Sequence, residues 1–251
     1  MKIHPLVLAS LLTVAPTAIR GGDASPLLNA QQDLIRSRDT DAFEAKRLAL
    51  MATVDSSLKA IGDRDHYAAF IGKLVVAGFA AEEGNGIDSN SRSSFATLTQ
   101  NVAARLHVFT SDNASMLLLE TAQREVNGEF IRVFHPPYLV SMRPFSVYHF
   151  GQSAKEAKDT QALSYGVTLC KSNVAQEPAV FVLRAGPSGS GKYASFYKIS
   201  SSSSAEWKSA LLYEAAGLIS WNYQAAAGEL IVVDGGYLNA PEIKTNRFIL
   251  Q

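Results

Sequence analysis

The spacing of hydrophobic residues changes near the middle of the chain. Before Gly128, apolar side chains recur three and four residues apart, which is typical of helices with one buried face. After Gly128 they alternate with polar residues in short runs, which is typical of strands. A run of helices followed by a run of strands favours an α+β fold over alternating α/β. We therefore predict a helical N-terminal half packed with a mainly antiparallel β-sheet in the C-terminal half.

Five helices are expected in the first half. Ser25 followed by Pro26 is typical of an N-cap and the first helical position. The predicted helices start near Ser25, Thr40, His66, Phe95 and, for the fifth, Ser111 or Asp112. The third is expected to end near Ala81, the fourth at Leu106 and the fifth at Asn127-Gly128, a pair that favours a left-handed turn. The segment Leu106 to Thr110 could also turn into a strand.

The second half is expected to contain mostly strands. Prolines divide the first of them into short pieces. The predicted strands are Glu129 to Phe134, Tyr138 to Met142, Phe145 to Phe150, Ser164 to Cys170, Leu218 to Gln224, Glu229 to Asp234 and Ile243 to Leu250. Two helices interrupt them: one from Ser153 to Leu163, and one that begins at a capping box formed by Ser203 and Glu206.

The segment GPSGSGK, between two strand-like runs, permits two interpretations. Gly186, Gly191 and Lys192 satisfy the G-x-x-x-x-G-K part of a phosphate-binding loop. The following position requires Ser or Thr to reach a magnesium ion, and this chain has Tyr193. Over seven residues the segment resembles the P-loop of guanylate-kinase-like enzymes. That resemblance implies a nucleotide-binding enzyme with Lys192 on the phosphates.

The residues after GPSGSGK favour a hairpin turn over a nucleotide site. A P-loop opens a helix whose free N–H groups face the phosphates, but YASFYKIS is rich in aromatic residues and reads as a strand. Glycine, proline and serine are also common turn formers. The run LIVVD, ending at Asp234, is compatible with a Walker B strand near the metal and equally with a buried strand before a turn. We predict the hairpin and keep the nucleotide site as the alternative.

The N-terminus has the layout of a secretory signal peptide. Met1 and Lys2 precede a mostly apolar run from Leu6 to Ala15, followed by small residues. The run is too short to span a bilayer, which takes about 20 apolar residues. Cleavage is possible after Ala15, Ala18 or Ala24. We expect residues 1–24 to be a signal peptide and the protein to be secreted or periplasmic.

Composition restricts the partners that are expected. Lys plus Arg and Asp plus Glu both number 23, so the net charge of zero gives no electrostatic case for nucleic acid or an anionic membrane. With 47% hydrophobic and 18% charged residues, the chain is that of a globular protein. We expect a helical region at 25–127 and a β-rich region at 128–251, possibly as one continuous domain. No membrane-spanning segment is expected in the mature chain, because the apolar third helix is short and contains Lys73.

Candidate catalytic and metal-binding groups show no diagnostic spacing. Cys170 is the only cysteine, so no intramolecular disulfide forms, and we interpret it as a core thiol. The residues considered as metal ligands are Asp63, Asp65, His66, His135 and His149. The acids considered for hydrolysis are Glu229, Asp234 and Glu242. Acids at a helix start are already explained by the helix dipole, and no metal or cofactor is predicted.

The resulting functional hypothesis is an exported protein that binds a macromolecular partner, as an effector, an immunity-type protein or an envelope factor would. It rests on an export signal combined with the lack of a catalytic constellation in the sequence. One alternative is a P-loop-like nucleotide-binding enzyme using residues 186–192 and Asp234. Another is a hydrolase whose acids and histidines come together only in the folded chain.

Overall fold

The structure is a computed structural model that describes part of the chain. It covers residues 23–83, 103–111, 113–124, 130–152, 156, 164–171, 176–185, 192–201, 204–224, 227–237 and 240–249. The helices in these residues are α1 (Ser25–Arg36), α2 (Phe43–Lys59) and α3 (Arg64–Val76). None of them is both long and apolar enough to cross a membrane.

Strands make up most of the described chain and form three sheets. Sheet A consists of β1 (Ala80–Glu83), β2 (Ala104–Thr110), β3 (Ala114–Arg124), β4 (Phe130–Phe134), β5 (Tyr138–Met142) and β6 (Phe145–His149). Sheet B consists of β7 (Ser164–Lys171), β8 (Gln176–Ala185), β9 (Lys192–Ser201) and β10 (Trp207–Ala215). Sheet C consists of β11 (Leu218–Gln224), β12 (Glu229–Tyr237) and β13 (Ala240–Ile249).

Most strands pair antiparallel with their neighbours in sequence. The order is β1-β2-β3-β5-β6 in sheet A, β10-β9-β8-β7 in sheet B and β11-β12-β13 in sheet C. The pairing of β1 with β2 is parallel. One edge of β3 pairs with β5 near its start and with β4 near its end. Sheets B and C are therefore simple meanders, and sheet A contains the less local connections.

The elements form four layers around three hydrophobic cores. Helices α1, α2 and α3 cover one face of sheet A, where the buried residues include Leu50, Phe70 and Leu117. Sheet B covers the opposite face of sheet A. Sheet C covers the far face of sheet B, where Trp221 and Leu230 are buried. The helices and sheet C thus lie at the two ends of the stack.

Two strands are buried on both faces and link neighbouring cores. In β3, Leu117 lies in the core under the helices, whereas the adjacent Leu118 lies in the core shared with sheet B. In β9, Tyr197 packs towards sheet A and the adjacent Phe196 towards sheet C. Because side chains alternate along a strand, each of these strands supplies both cores at once.

The predicted fold class, a helical N-terminal half packed with one mainly antiparallel sheet in the C-terminal half, is wrong. The chain is mostly β, and α1, α2 and α3 all lie in its N-terminal part. The fold is α+β-like only in the sense that a few short helices cover one side of a set of sheets. The part of the predicted fourth helix that is described, Ala104 to Leu106, lies in β2.

The predicted fifth helix is the strand β3. The sequence from Ala114 to Thr121 reads ASMLLLET, and residue after residue is buried. Leu, Met, Ala and Glu favour helices when packing does not decide. A strand covered on both faces has no polar face, so its sequence shows no alternation. Burial on both faces therefore hid this strand from an analysis of hydrophobic periodicity.

The predicted helix after Glu206 is the strand β10. Its partly buried and exposed positions alternate from Trp207 to Leu211, and it pairs antiparallel with β9. The capping-box pattern was therefore coincidental. The predicted helix from Ser153 to Leu163 lies almost entirely outside the described residues.

The remaining elements agree with the predicted types. The first three helices are present, although α3 ends at Val76 rather than near Ala81, which belongs to β1. The predicted N-cap at Ser25 is wrong, because Ser25 is the first helical residue and its N–H donates to Asp23 Oδ1. The other predicted strands are present with small changes of boundary.

Candidate functional site

The GPSGSGK segment lies between two paired strands. Strands β8 and β9 are antiparallel, with Ala185 opposite Lys192, which confirms the predicted hairpin partners. Residues 186–191, and with them Gly186 and Gly191, lie outside the described residues. Lys192 is the first residue of a strand rather than of a helix. The helix N-terminus that a P-loop uses to bind phosphate does not follow this lysine.

Asp234 anchors the chain reversals of sheet C. Its carboxylate accepts hydrogen bonds from Tyr213 Oη at 2.8 Å and from the backbone N–H groups of Ala216, Gly217 and Gly236 at 3.2, 2.9 and 2.9 Å. Burial by itself would raise the pKa of this carboxyl group, but the bonds from Gly236, Tyr213 and the other two donors outweigh it and lower the pKa. Lys192 belongs to sheet B and Asp234 to sheet C, where the aspartate holds a turn.

Gly217 makes this turn possible by its lack of a side chain. A Cβ atom placed on Gly217 would lie 2.2 Å from the carbonyl oxygen of Gly236. The backbone carbonyl of Gly217 in turn accepts a hydrogen bond from the N–H of Gly235 at 2.8 Å. The two glycine segments therefore approach more closely than any other residue would allow.

A buried acid in sheet A also has fixed partners. Glu120, on β3, is fully buried, and its Oε2 lies 2.9 Å from His107 Nε2, which is also fully buried. Its Oε1 accepts a hydrogen bond from Arg132 Nε, and the Arg132 guanidinium lies over the Phe134 ring. Arg132 is partly exposed, so the cluster reaches the surface at its arginine end.

A second polar group lies between α2 and sheet A. His149 Nδ1 is 3.5 Å from Asp55 Oδ1, and the His149 ring stacks on Tyr138 with centroids 4.1 Å apart. Asp55 Oδ2 also accepts a hydrogen bond from Lys59 Nζ at 2.7 Å. Burial, followed by the nearby Asp55 carboxylate, raises the pKa of Tyr138. Burial lowers the pKa of His149, although Asp55 acts in the opposite direction.

His135 occupies the same layer and is neutral at physiological pH. Its Nε2 lies 2.7 Å from Thr121 Oγ1, and the side chain is buried. Burial, and after it the charges of Arg47 and His149, lowers its pKa to about 4. The fold therefore brings His135 and His149 into the same region, as a site made from distant residues would require.

The described residues contain no group of three or more His, Cys, Asp and Glu side chains that could hold a metal ion. Asp63, considered as a ligand together with Asp65 and His66, is the N-cap of α3. It accepts the His66 N–H at 2.8 Å and contacts His66 Nδ1 at 2.5 Å. The Cys170 side chain lies outside the described part of the structure.

The outward surface of sheet C differs from these buried clusters. We define the outer face as the side of sheet C turned away from sheet B, with Ile219, Ser220, Asn222, Gln224, Glu229, Ile231, Val233, Ile243, Thr245, Arg247 and Ile249. Its apolar residues are isoleucine and valine, its uncharged polar residues carry hydroxyl or amide groups, and its charged residues are Glu229 and Arg247. Ile219 is 55% exposed and Ile249 is 73% exposed.

A β-bulge sets the position of Ile219. Leu218 pairs with Asp234 and Ser220 pairs with Val233, so Ile219 is the extra residue on β11. Gly235 lies beneath it, since a Cβ atom on Gly235 would be 3.1 Å from Ile219 Cδ1. Bulges redirect side chains locally and occur often next to functional sites. The bulge and the glycine together let the isoleucine lie flat on the solvent side of the sheet.

The charged residues on and beside the outer face form ion pairs with each other. Glu229 Oε2 lies 3.1 Å from Arg247 Nη1, and Glu242 Oε2 lies 3.0 Å from Lys244 Nζ. Two of the acids considered for hydrolysis, Glu229 and Glu242, are thus members of exposed or partly exposed ion pairs. The outer face therefore carries one ion pair, Glu229 with Arg247, among otherwise uncharged side chains.

Sequence reasoning missed three of these features. Glu120 is a single acid within an apolar run, a pattern that signals a buried and paired carboxylate. Asp55 falls four residues before Lys59 on one helical face, which indicates a pair. Ile219 alternates with Trp221 and Tyr223 in the sequence as a buried residue would, so the bulge that turns it outward gave no sequence signal.

Comparisons of this chain with protein-family models, with curated proteins and with solved structures find no match.

Proposed function

We propose that this protein is exported and acts by binding a protein partner through the outer face of sheet C. The observation that carries the proposal is the bulge that presents Ile219 on the solvent side of the sheet, supported from beneath by Gly235. Burying this side chain in the fold would have required only a regular strand. Its outward position is a local irregularity, and such features are typical of binding surfaces.

The chemistry of the outer face favours a protein partner with an apolar and weakly charged contact surface. The centres of protein–protein interfaces are depleted in charged residues and contain well-packed apolar side chains. Around Ile219, the exposed side chains of Ser220 and Asn222 offer hydrogen bonds without charge. Nucleic acid binding requires unpaired cationic side chains, and Arg247 and Lys244 both lie in ion pairs. We therefore propose neither nucleic acid nor an anionic membrane as the partner.

The outer face is also suited to binding at low entropic cost. The side chain of Ile219 already lies against the backbone at Gly235 before any partner arrives. The bonds from Ala216, Gly217 and Gly236 to Asp234 fix the turn next to it. A surface that is ordered before binding loses less conformational freedom on association.

Direct binding of a purified partner tests this proposal. Proteins captured by the mature chain from the secreted or periplasmic fraction of its host would be purified and titrated against it by calorimetry. We expect Ile219→Lys to weaken binding at least about tenfold, because burying the lysine leaves its charge unpaired. Leu48→Lys is the matched control, since Leu48 on α2 is 56% exposed and lies on the opposite end of the stack.

Two results would contradict the assignment of this surface. One is an equal loss of affinity in Ile219→Lys and Leu48→Lys. The other is a mature chain that captures no partner in stoichiometric amount.

The proposed export signal lies within residues 1–24, with secretion or the periplasm as the destination. The start of α1 supports cleavage after Ala18 rather than Ala24. The Ala24 carbonyl accepts the Leu28 N–H at 3.0 Å, and the Asp23 carboxylate accepts the Ser25 N–H at 2.9 Å. A cut after Ala24 would remove both bonds and place a positive amino group at a helix N-terminus, where the dipole disfavours it.

Mass spectrometry of the protein from its native host measures the mature N-terminus directly. We expect a chain that begins after Ala18. An intact chain that begins with Met1 and remains in the cytosol would refute the export proposal and leave the binding proposal to its own test.

A further inference from the structure

Strand β13 is one of the two edge strands of sheet C. In the order β11-β12-β13, β13 pairs with β12 on one side, and no other strand in the described part of the chain pairs with it. Residues 242–245 are all exposed, so this stretch is open on both faces. Ile243 and Ile249 are each 73% exposed. Long exposed edges with apolar residues are templates for pairing with another strand.

The cationic side chains on β13, which would otherwise discourage pairing with another strand, are in ion pairs. Lysine and arginine on an edge strand discourage pairing because a second strand would have to desolvate them. On β13, Lys244 is paired with Glu242 at 3.0 Å and Arg247 is paired with Glu229 at 3.1 Å. Neither cation therefore presents an unpaired charge to an incoming strand.

The other edge of the sheet is less suited to pairing. Strand β11 contains the bulge at Ile219, which interrupts its regular hydrogen-bonding pattern. Strand β13, in contrast, pairs with β12 without a shift from Lys244 to Ile249. The regular edge is therefore the one that carries two exposed isoleucines.

The sequence of β13 is complementary to itself when one copy runs antiparallel to another. A two-fold axis perpendicular to the sheet places one residue opposite its own counterpart, and residues equally far on either side then pair. With Asn246 on the axis, Ile243 of each copy lies opposite Ile249 of the other. Thr245 then lies opposite Arg247, and no like charges meet directly.

Other registers are less favourable. An axis at Thr245 would place Ile243 opposite Arg247, and an axis at Lys244 would place that lysine opposite itself. Like charges directly opposite each other on paired strands are destabilising. Among these registers, only the axis at Asn246 pairs Ile243 with Ile249.

We propose that two copies of this protein associate through β13, antiparallel and with Asn246 on the two-fold axis, so that two three-stranded sheets become one six-stranded sheet. Backbone hydrogen bonds along the strands hold the copies together, as in other cases of strand addition. The isoleucine pairs set the register. The two outer faces then lie side by side on a continuous surface.

Sedimentation velocity of the purified mature chain across the micromolar range tests the association. We expect a monomer–dimer equilibrium that Ile243→Lys weakens at least about tenfold, which corresponds to about 1.4 kcal/mol. Leu48→Lys, on α2 at the opposite end of the stack, is the matched control and should shift the equilibrium less than about twofold. Because both side chains are largely exposed, circular dichroism should show folded protein for both variants.

Disulfide trapping tests the register. Cys170 is first replaced by Ser, and Thr245→Cys and Arg247→Cys are then made separately in this background. Opposite residues on antiparallel strands have Cβ atoms about 4.5–5.5 Å apart, close to disulfide geometry. We expect a mixture of the two variants to form a disulfide-linked dimer on mild oxidation and each variant alone to form little.

Three results would overturn the inference. A chain that stays monomeric at all concentrations excludes the association, and one that stays monomeric but loses a captured protein partner in Ile243→Lys assigns this edge to that partner instead. Efficient cross-linking of Thr245→Cys with itself excludes the register. The partner titration with Ile219→Lys alters β11 rather than β13, so failure of the self-association and failure of the proposed function are read from different variants.

Discussion

Sheets A and C are both antiparallel over most of their length, yet they place polar residues in opposite ways. Sheet A lies between the helices and sheet B, and several of its polar residues are buried with fixed partners, as Glu120 is with His107. Sheet C covers sheet B with one face and leaves the outer face exposed. The difference indicates that polar residues of sheet A maintain the fold, whereas residues of the outer face are free to serve binding.

The largest effect is expected from removing the buried carboxylate of sheet A. Glu120→Ala removes the carboxylate that His107 and Arg132 contact, and removal of one partner from a buried charged pair typically costs about 3–5 kcal/mol. We expect a loss of that size in the free energy of unfolding, measured with urea. Glu120→Gln retains the shape and one acceptor, so it should cost less. A loss below about 1 kcal/mol in Glu120→Ala would contradict the structural role.

The next largest loss of stability is expected from a substitution in the turn of sheet C. At this turn the stability of the sheet depends on single residues. In Gly217→Ala, the new Cβ would overlap the Gly236 carbonyl oxygen at 2.2 Å, and the hydrogen bonds to Asp234 would have to shift. We expect a destabilisation of about 3 kcal/mol, at the upper end of the range for overpacking. Thermal and urea unfolding would measure it.

Gly72→Ala is the matched control for Gly217. Nothing lies within 4 Å of a Cβ atom on Gly72, which is in α3. Because alanine has a higher helix propensity than glycine, the free energy of unfolding of this variant should rise by about 0.5–1 kcal/mol. Equal effects at the two positions would show that the close approach of the turn is not what requires Gly217.

Acid should lower the stability of the folded protein through protonation of His135. Its pKa is about 4 in the folded protein and near 6.5 in the unfolded chain. Between these values the unfolded chain binds a proton that the folded protein does not, so stability falls as the pH is lowered. From pH 7 to pH 5 we expect a loss of about 2 kcal/mol from this group, complete only below about pH 4.

Urea titrations of the wild type and His135→Gln at the two pH values isolate this contribution from that of other groups. Glutamine does not titrate, so the variant should lose less stability on acidification. An identical pH dependence in the two proteins would show that His135 gains its proton as easily folded as unfolded.

The smallest effects are expected on the outer face. Ile219→Lys and Ile249→Lys alter side chains that are 55% and 73% exposed, and surface substitutions away from special features usually change stability by less than about 0.5 kcal/mol. Thermal unfolding of dilute protein checks this. If either variant lost more than about 1 kcal/mol in the free energy of unfolding, the outer face would also maintain the fold. The two sheets would then not differ in this respect.

The sequence predicts the parts of this fold that have one exposed face. Helix α2 buries Leu50, Val54 and Leu58 at helical spacing, and the hairpins of the second half show alternation and turn residues. Strand β3 gave no such signal because helices cover one of its faces and sheet B covers the other. Whether an apolar run is a helix or a central strand depends on what packs around it, and that is a property of the tertiary structure.

The candidate surface was predictable only in part. Aromatic residues are enriched in protein interfaces, but Trp221, Phe196 and Tyr197 of the second half are buried in the cores. The strand alternation of β11 is readable in the sequence, and so is the glycine pair after Asp234. That Ile219 rests on Gly235 depends on the pairing register of two strands, which the sequence of neither strand specifies alone.

Strand β9 has a consequence for how the molecule comes apart. Its consecutive residues Phe196 and Tyr197 belong to different cores, so neither core can open without disturbing the strand that serves the other. Strand β3 links the core under the helices to the core between sheets A and B in the same way. A substitution that destabilises sheet C should therefore also destabilise the core under the helices. We expect the layers to melt together, in one transition recorded alike by tryptophan fluorescence and by far-ultraviolet circular dichroism.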